Sequence, residues 1–280
     1  MGPHKRVSIE HFLGSFLLFT VMGTLNYQYN LKTFEVNAFI FAVSALIVFL
    51  CLRTFFTGDV FEISWRAALL GALFSLGFYI FFTCPPNIKV FGLYMAVMAF
   101  FHFSEFISMA YIQPNVVSTD SFILNHSPQY TIAAVSSWIE FFIETYFFPD
   151  LKQHFYISYI GFAVCIAGEF LRKLAIFTAG KSFHHLVQPQ KSKDHILVTK
   201  GVYSIFRHPS YVGWFYWSIG TQLILVNPFC IPAYAIVSWM FFNSRIYIEE
   251  ITLLNFFGQN YVDYQKRVGT GLPFIKGFQV

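Results

Sequence analysis

The stretch from Arg207 to Glu250 constrains the fold more than any other part of the chain. It opens Arg207-His208-Pro209-Ser210-Tyr211, runs apolar to Val226 and breaks at Asn227-Pro228. A second apolar run from Ile231 ends in Arg245-Ile246-Tyr247-Ile248-Glu249-Glu250. Two lipid-length helices joined by so short a break form an antiparallel hairpin, and the polar ends of both meet on one side of the membrane. His208, Tyr211, Arg245 and Glu249 therefore converge. Ionisable groups at a membrane boundary are costly unless paired or functional, so this zone is the expected active site.

The rest of the chain agrees with a membrane setting. Of 280 residues, 56% are hydrophobic and only 11% charged, which excludes an ordinary soluble domain. Apolar segments at about 11–29, 36–56, 65–83, 88–112, 129–148, 155–178, 209–226 and 229–248 are long enough, or nearly so, to span a bilayer. The expectation is an all-α polytopic membrane protein with about eight transmembrane helices. Breakers such as Gly58-Asp59, Cys84-Pro85-Pro86-Asn87, Gln113-Pro114-Asn115 and Pro149-Asp150 separate the segments. The link at 84–87 makes a second hairpin. The 38 phenylalanines read mostly as lipid-facing and interfacial packing.

Several classes are excluded or disfavoured. Cys51, Cys84, Cys165 and Cys230 lack CxxC spacing, so neither a disulfide frame nor zinc is expected. Adjacent histidines such as His184 and His185 rarely share a metal, and none is expected here. A net charge of +4, dispersed along the chain, gives no reason to expect nucleic acid. The apolar run after Lys5-Arg6 reads as a retained first helix. With eight spans, all but Lys32, Lys89 and Lys152 of the 18 basic residues fall on one side. Both termini and the polar hairpin ends then face the cytosol.

Residues 1–178 read as six N-terminal spans. Residues 179–280 read as a catalytic region: a long polar connection, the hairpin 209–248 and an amphipathic tail on the membrane interface. Within that connection Ile196-Leu197-Val198 reads as extended and Lys200-Gly201 as a turn. Gly258 is expected to interrupt the tail.

The chemistry of the cluster leaves alternatives open. Pro209 suits a first helical turn, leaving the N–H groups of Ser210 and Tyr211 as an electron-poor helix start. His208 beside it fits a ligand contact, a proton shuttle or a structural histidine. Arg245 and Glu249 share a helix face, so they form either a simple ion pair or two separate ligand contacts. Glu250 is expected to point elsewhere and stay solvated. Arg172-Lys173 reads as interfacial anchors, with Arg172 a possible second cation for the site. Glu105, Glu140, Glu144 and Glu169 lie within apolar spans, where they face a cavity or pair across helices.

The run Arg207-His208-Pro209-Ser210-Tyr211-Val212-Gly213-Trp214-Phe215-Tyr216-Trp217-Ser218-Ile219-Gly220-Thr221-Gln222 resembles the isoprenylcysteine carboxyl methyltransferases. So do Glu249-Glu250, Phe256-Phe257-Gly258 with Tyr261 and Tyr264, and Gly271-Leu272-Pro273-Phe274-Ile275. Arg-His-Pro with a distant Glu-Glu is shared with phospholipid N-methyltransferases and membrane sterol reductases; the Gly-Thr-Gln ending and the tail narrow the resemblance to the first family.

The resemblance implies an endoplasmic reticulum enzyme with a cytosolic site. It would methylate the C-terminal carboxylate of a farnesylated or geranylgeranylated cysteine, using S-adenosylmethionine. Its partners would be prenylated CaaX-type proteins after C-terminal trimming, and membrane lipid. Carried over residue by residue, the cofactor pocket would include Gln188, His195, Ile196, Leu197, Val198, Tyr203, His208, Pro209, Ser210, Tyr211 and Glu249. Arg245 would contact the substrate, and Arg172 would be a second catalytic contact. The competing readings are a phospholipid methyltransferase, a sterol-type reductase and a non-catalytic membrane scaffold.

Overall fold

The structure is a computed structural model that describes residues 2–28, 34–124, 127–188, 190–191 and 195–279. The described residues are helical, with no strand among them. Helices α1 (Pro3–Gln28), α2 (Phe34–Phe55), α3 (Gly58–Thr83), α4 (Pro86–Ile112), α5 (Pro128–Phe147) and α6 (Phe155–Ala179) precede the polar connection. Helices α7 (Pro209–Leu225), α8 (Cys230–Phe257) and α9 (Gln259–Arg267) follow it. Each expected apolar segment is thus a helix. Among the described residues, four helices are apolar and long enough to cross a membrane by length and composition: Pro3–Gln28, Val36–Phe55, Gly58–Thr83 and Pro86–Ile112. Phe39, Phe82 and Phe147 remain exposed, as side chains facing lipid do.

By packing, the chain divides into two compact units, Met1–Ser158 and Tyr159–Val280. In the first, α1 buries Ser8, Phe12, Ser15, Phe19 and Gly23 along one helical stripe. Phe12 stacks on Phe103 with ring centroids 3.7 Å apart. The backbones of α3 and α4 approach so closely that a Cβ on Gly77 would lie 2.6 Å from the Gly92 carbonyl oxygen. Small residues permit this in membrane helices, where close van der Waals contact replaces hydrophobic drive. Of the glutamates in apolar segments, Glu144 meets the fully buried Lys152 at 2.6 Å, which resolves that group as a pair.

The second unit begins inside α6, N-terminal to the division expected at 178. Gly161 and Gly168 of α6 meet Gly220 and Gly213 of α7, which ties this part of α6 to the hairpin. A Cβ on Gly168 would lie 2.5 Å from the Gly213 carbonyl oxygen. The hairpin tip is built from polar groups. Val226 sits in the left-handed region at φ +51°, and the Asn227 amide donates to the Gln222 side-chain oxygen at 3.2 Å. Both Gln222 and Asn227 are fully buried. The Gln of the Gly-Thr-Gln run therefore closes the turn.

Helix α8 continues past its expected end at 248 to Phe257, where Gly258 stops it at φ +53°. At about 1.5 Å per residue its 28 residues are longer than a roughly 30 Å hydrocarbon core. Gly258 also starts α9, which buries Tyr261 and Tyr264. The tail then returns to the start of α7. The Arg207 and His208 amides donate to the Gly269 and Thr270 carbonyls at 2.8 and 3.2 Å. Leu272 and Ile275 join a core with Val212, Phe215, Phe242 and Ile246.

Candidate active site

The two ends of the hairpin meet as its short break requires. Pro209 occupies the first turn of α7 and His208 caps it. The helix start is less open than expected, because the Tyr211 amide already donates to the His208 carbonyl at 3.0 Å. Across the hairpin the Tyr211 hydroxyl donates to Glu249 and accepts from Arg245 Nε at 3.3 Å. Arg245 Nη2 donates to the His185 carbonyl at 2.8 Å. The simple Arg245–Glu249 ion pair does not form among the described residues; a tyrosine hydroxyl stands between the two.

An open cavity lies beside this chain of contacts. Ten of the expected cofactor residues line it: His195, Ile196, Leu197, Val198, Tyr203, His208, Pro209, Ser210, Tyr211 and Glu249. Residues 195–199 reach it without helical structure, with the Ile196 amide donating to Ser182 Oγ at 3.1 Å. Gly201 then turns the chain at φ +59° into a short 3-10 segment ending at Ser204. Gln188 is not among the lining residues. Its amide is used locally, donating to the Leu186 carbonyl at 3.1 Å.

Arg172 also stands back from the lining. It is buried under the helix start, donates to Ser210 Oγ at 2.6 Å and lies 4.6 Å over the Trp214 ring. Arg172 therefore meets the cavity through Ser210. The expectation for Glu250 fails outright: it is fully buried, with its carboxylate 2.8 Å from Arg207 Nε. Sequence reading missed Phe183, His184, Leu253 and Phe257 as further lining. Leu253 and Phe257 follow Glu249 at intervals of four, a helical spacing that identifies them in retrospect.

The walls mix apolar side chains (Ile196, Leu197, Val198, Phe257) with Glu249, His184, His195 and His208. Burial holds His184 and His195 below their ordinary value of 6.5; their mutual proximity adds to this for His184, and Lys191 adds to it for His195. Burial likewise pushes the Tyr203 phenol up. Arg207 also lines the cavity, so its wall carries both a cationic and an anionic side chain beside a partly apolar surface.

Fold and site together define a helical membrane protein with a charged cavity at the mouth of a helical hairpin. The family model of the isoprenylcysteine carboxyl methyltransferases matches residues 159–255, the segment that builds that hairpin. A protein-S-isoprenylcysteine O-methyltransferase of Tribolium castaneum is 59% identical over the whole of both chains. The enzyme of that name from Homo sapiens is 52% identical over 79% of this chain and 77% of its own. A solved structure of a eukaryotic intramembrane Ras methyltransferase of this kind covers all of both chains at TM-score 0.98 and 59% identity. The chain belongs to the isoprenylcysteine carboxyl methyltransferase family.

Proposed function

We propose that this chain methylates the C-terminal carboxylate of a farnesylated or geranylgeranylated cysteine, with S-adenosylmethionine as methyl donor. One observation carries the reading: Glu249, which lines the cavity, and Arg245, which stands behind that lining, are held one tyrosine hydroxyl apart. A cation-binding and an anion-binding group stand side by side, as a reaction between a cationic donor and an anionic acceptor needs.

The lining fits the donor. Glu249 suits its charged end, and Ile196, Leu197, Val198 and Phe257 suit a flat nucleobase. When bound, S-adenosylmethionine supplies a methyl group on a positively charged sulfur. The acceptor carboxylate is already ionised at pH 7, since an α-carboxyl pKa is about 3.3–3.7, so the chain needs no general base. Its residues orient. Arg245 spends Nε on Tyr211 and one Nη2 proton on His185, and Nη1 has no partner among the described residues. The outer Nη1 and Nη2 protons can form a forked contact with a carboxylate. Arg172 supports this from beneath, through Ser210. A dry setting favours the step, because opposite charges cancel as the methyl moves.

The membrane setting follows from the acceptor. A prenyl chain gains about 0.8 kcal/mol per buried CH₂ in lipid, so withdrawing it into water is costly. The same reading makes all eight long helices membrane-spanning, in the endoplasmic reticulum, with residues 179–280 as the catalytic region facing the cytosol. Prenylated CaaX-type proteins, already trimmed at the C-terminus, are the proposed substrates. The test is to incubate membranes containing the protein with labelled S-adenosylmethionine and a farnesylcysteine analogue. Base-labile methyl ester is the expected product. Label in lipid headgroup amines instead, or no ester, overturns the reading.

A further inference from the structure

The C-terminal tail makes a narrow excursion along the hairpin. It leaves from Arg207, whose amide donates to the Gly269 carbonyl at 2.8 Å, and returns to the same residue, with Arg207 Nη2 donating to the Lys276 carbonyl at 2.8 Å. Between these two holds the chain reaches Trp239, whose indole Nε1 donates to the Pro273 carbonyl at 2.7 Å. Trp239 precedes Arg245 by six residues on α8, about 9 Å along the helix. The tail is thus a loop with its apex at Pro273-Phe274, displaced from the polar ends of the hairpin toward its tip.

Two features of this apex are out of place in water. Phe274 is 94% exposed, although Leu272 and the adjoining Ile275 are buried. It also sits in the left-handed region at φ +63°, a costly backbone for a bulky residue. The chain is bent against its preference and turns a phenyl ring outward. Acyl chains suit the same features. Pro273 has no N–H, and Trp239 caps its carbonyl. Thr270 Oγ1 donates to the Ile275 carbonyl at 2.5 Å, and the Ile275 amide donates to the Leu272 carbonyl at 3.3 Å. Non-helical backbone survives at membrane depth only where such groups are paired within the protein. Ile236, Val237, Met240 and Phe241, which flank Trp239 on α8, are exposed and apolar. Segments that lie in the interface sink about 5–10 Å into the boundary between headgroups and acyl chains, a depth the apex matches.

We propose that residues 269–277 form a shallow re-entrant loop that inserts the Phe274 ring among the acyl chains of the bilayer. Lipid then holds down the loop whose two legs clasp Arg207. The placement rests on the reading of α8 as a membrane span. It does not depend on the methyl-transfer chemistry.

The test places a benzophenone side chain at Phe274, Met240 or Phe39 of the full chain, in phosphatidylcholine nanodiscs, and irradiates. Phe39 belongs to α2, apolar and long enough to span, and reports that the photochemistry works. Met240 reports whether α8 lies in lipid. The expected result is phosphatidylcholine mass added at all three positions. Lipid at Phe39 and Met240 but not at Phe274 overturns the proposal and leaves the span reading standing. Lipid at Phe39 alone overturns the span reading of α8, and the proposal with it. A cross-link from position 274 to a second copy of the chain also overturns it. Phe274→Asn supplies a second, independent readout. Asn tolerates the left-handed region, so facing water it should leave the unfolding temperature unchanged or raise it. Facing acyl chains, its amide is desolvated, and the unfolding temperature in nanodiscs should fall by about 2–4 °C. Phe274→Leu, which stays apolar, should lose less. An Asn variant as stable as the parent, or more so, overturns the insertion.

Discussion

Replacing Gly213 by alanine tests whether the α6–α7 contact sets the site. A Cβ there would lie 2.5 Å from the Gly168 carbonyl oxygen, 2.9 Å from the Arg172 amide nitrogen and 3.0 Å from Arg172 Cβ. An unstrained C···O contact is about 3.3–3.6 Å, so the helices have to part by roughly 0.8–1 Å. All the crowding atoms are backbone or Cβ, and none can swing aside. The parting occurs at Arg172, whose 2.6 Å bond to Ser210 Oγ holds the start of α7. Overpacking of this kind costs about 1–3 kcal/mol. A misplacement of about 1 Å in a site that works by orientation costs on the order of a hundredfold in rate. Gly14→Ala is the control, since nothing lies within 4 Å of its Cβ position; it should be neutral or stabilising by up to about 1 kcal/mol. Thermal unfolding in detergent and methyl-ester formation, measured on both variants, decide the matter. Parental stability and turnover in Gly213→Ala would show that this backbone contact does not govern the site.

Arg245→Lys should lose most activity while donor affinity stays near the parent value, because Lys offers one mobile point charge in place of a planar fork. Near-parental methyl-ester formation in that variant refutes the forked contact. Glu249→Gln should weaken S-adenosylhomocysteine binding by about tenfold with little change in unfolding temperature, since Glu249 faces the cavity and its hydrogen bond from Tyr211 can be kept by the amide oxygen. Unaltered affinity in a folded variant removes Glu249 from the donor site. His184 and His195 are held below 6.5, mainly by burial, so above that pH they are neutral both folded and unfolded. As pH falls through 6.5 the unfolded chain takes up protons that the folded chain refuses, and stability falls. Unfolding temperatures from pH 7.5 to 5.5 should therefore decline less steeply in a His184→Gln, His195→Gln double variant than in the parent; equal slopes refute this.

Much of the fold is written in local sequence. Long apolar runs punctuated by Pro85-Pro86, Pro149-Asp150 and Asn227-Pro228 give the helices in order, because backbone groups in an apolar setting pair within a helix. The brevity of the Asn227-Pro228 break brings His208, Tyr211, Arg245 and Glu249 together, since two helices so joined have no other course. Tertiary structure alone decided how those groups pair. Neighbouring residues on a helix point about 100° apart, so Glu249 and Glu250 cannot both face the cavity, and nothing local says which one does. The answer depends on partners from distant elements. Arg207, Tyr261 and Gln265 enclose Glu250, and a Cβ on Gly277 would lie 1.9 Å from its Oε2, so the C-terminal tail closes over it. Tyr211 stands between Arg245 and Glu249 for the same reason: its hydroxyl arrives from the facing helix, where the i, i+4 spacing that suggests an ion pair carries no information.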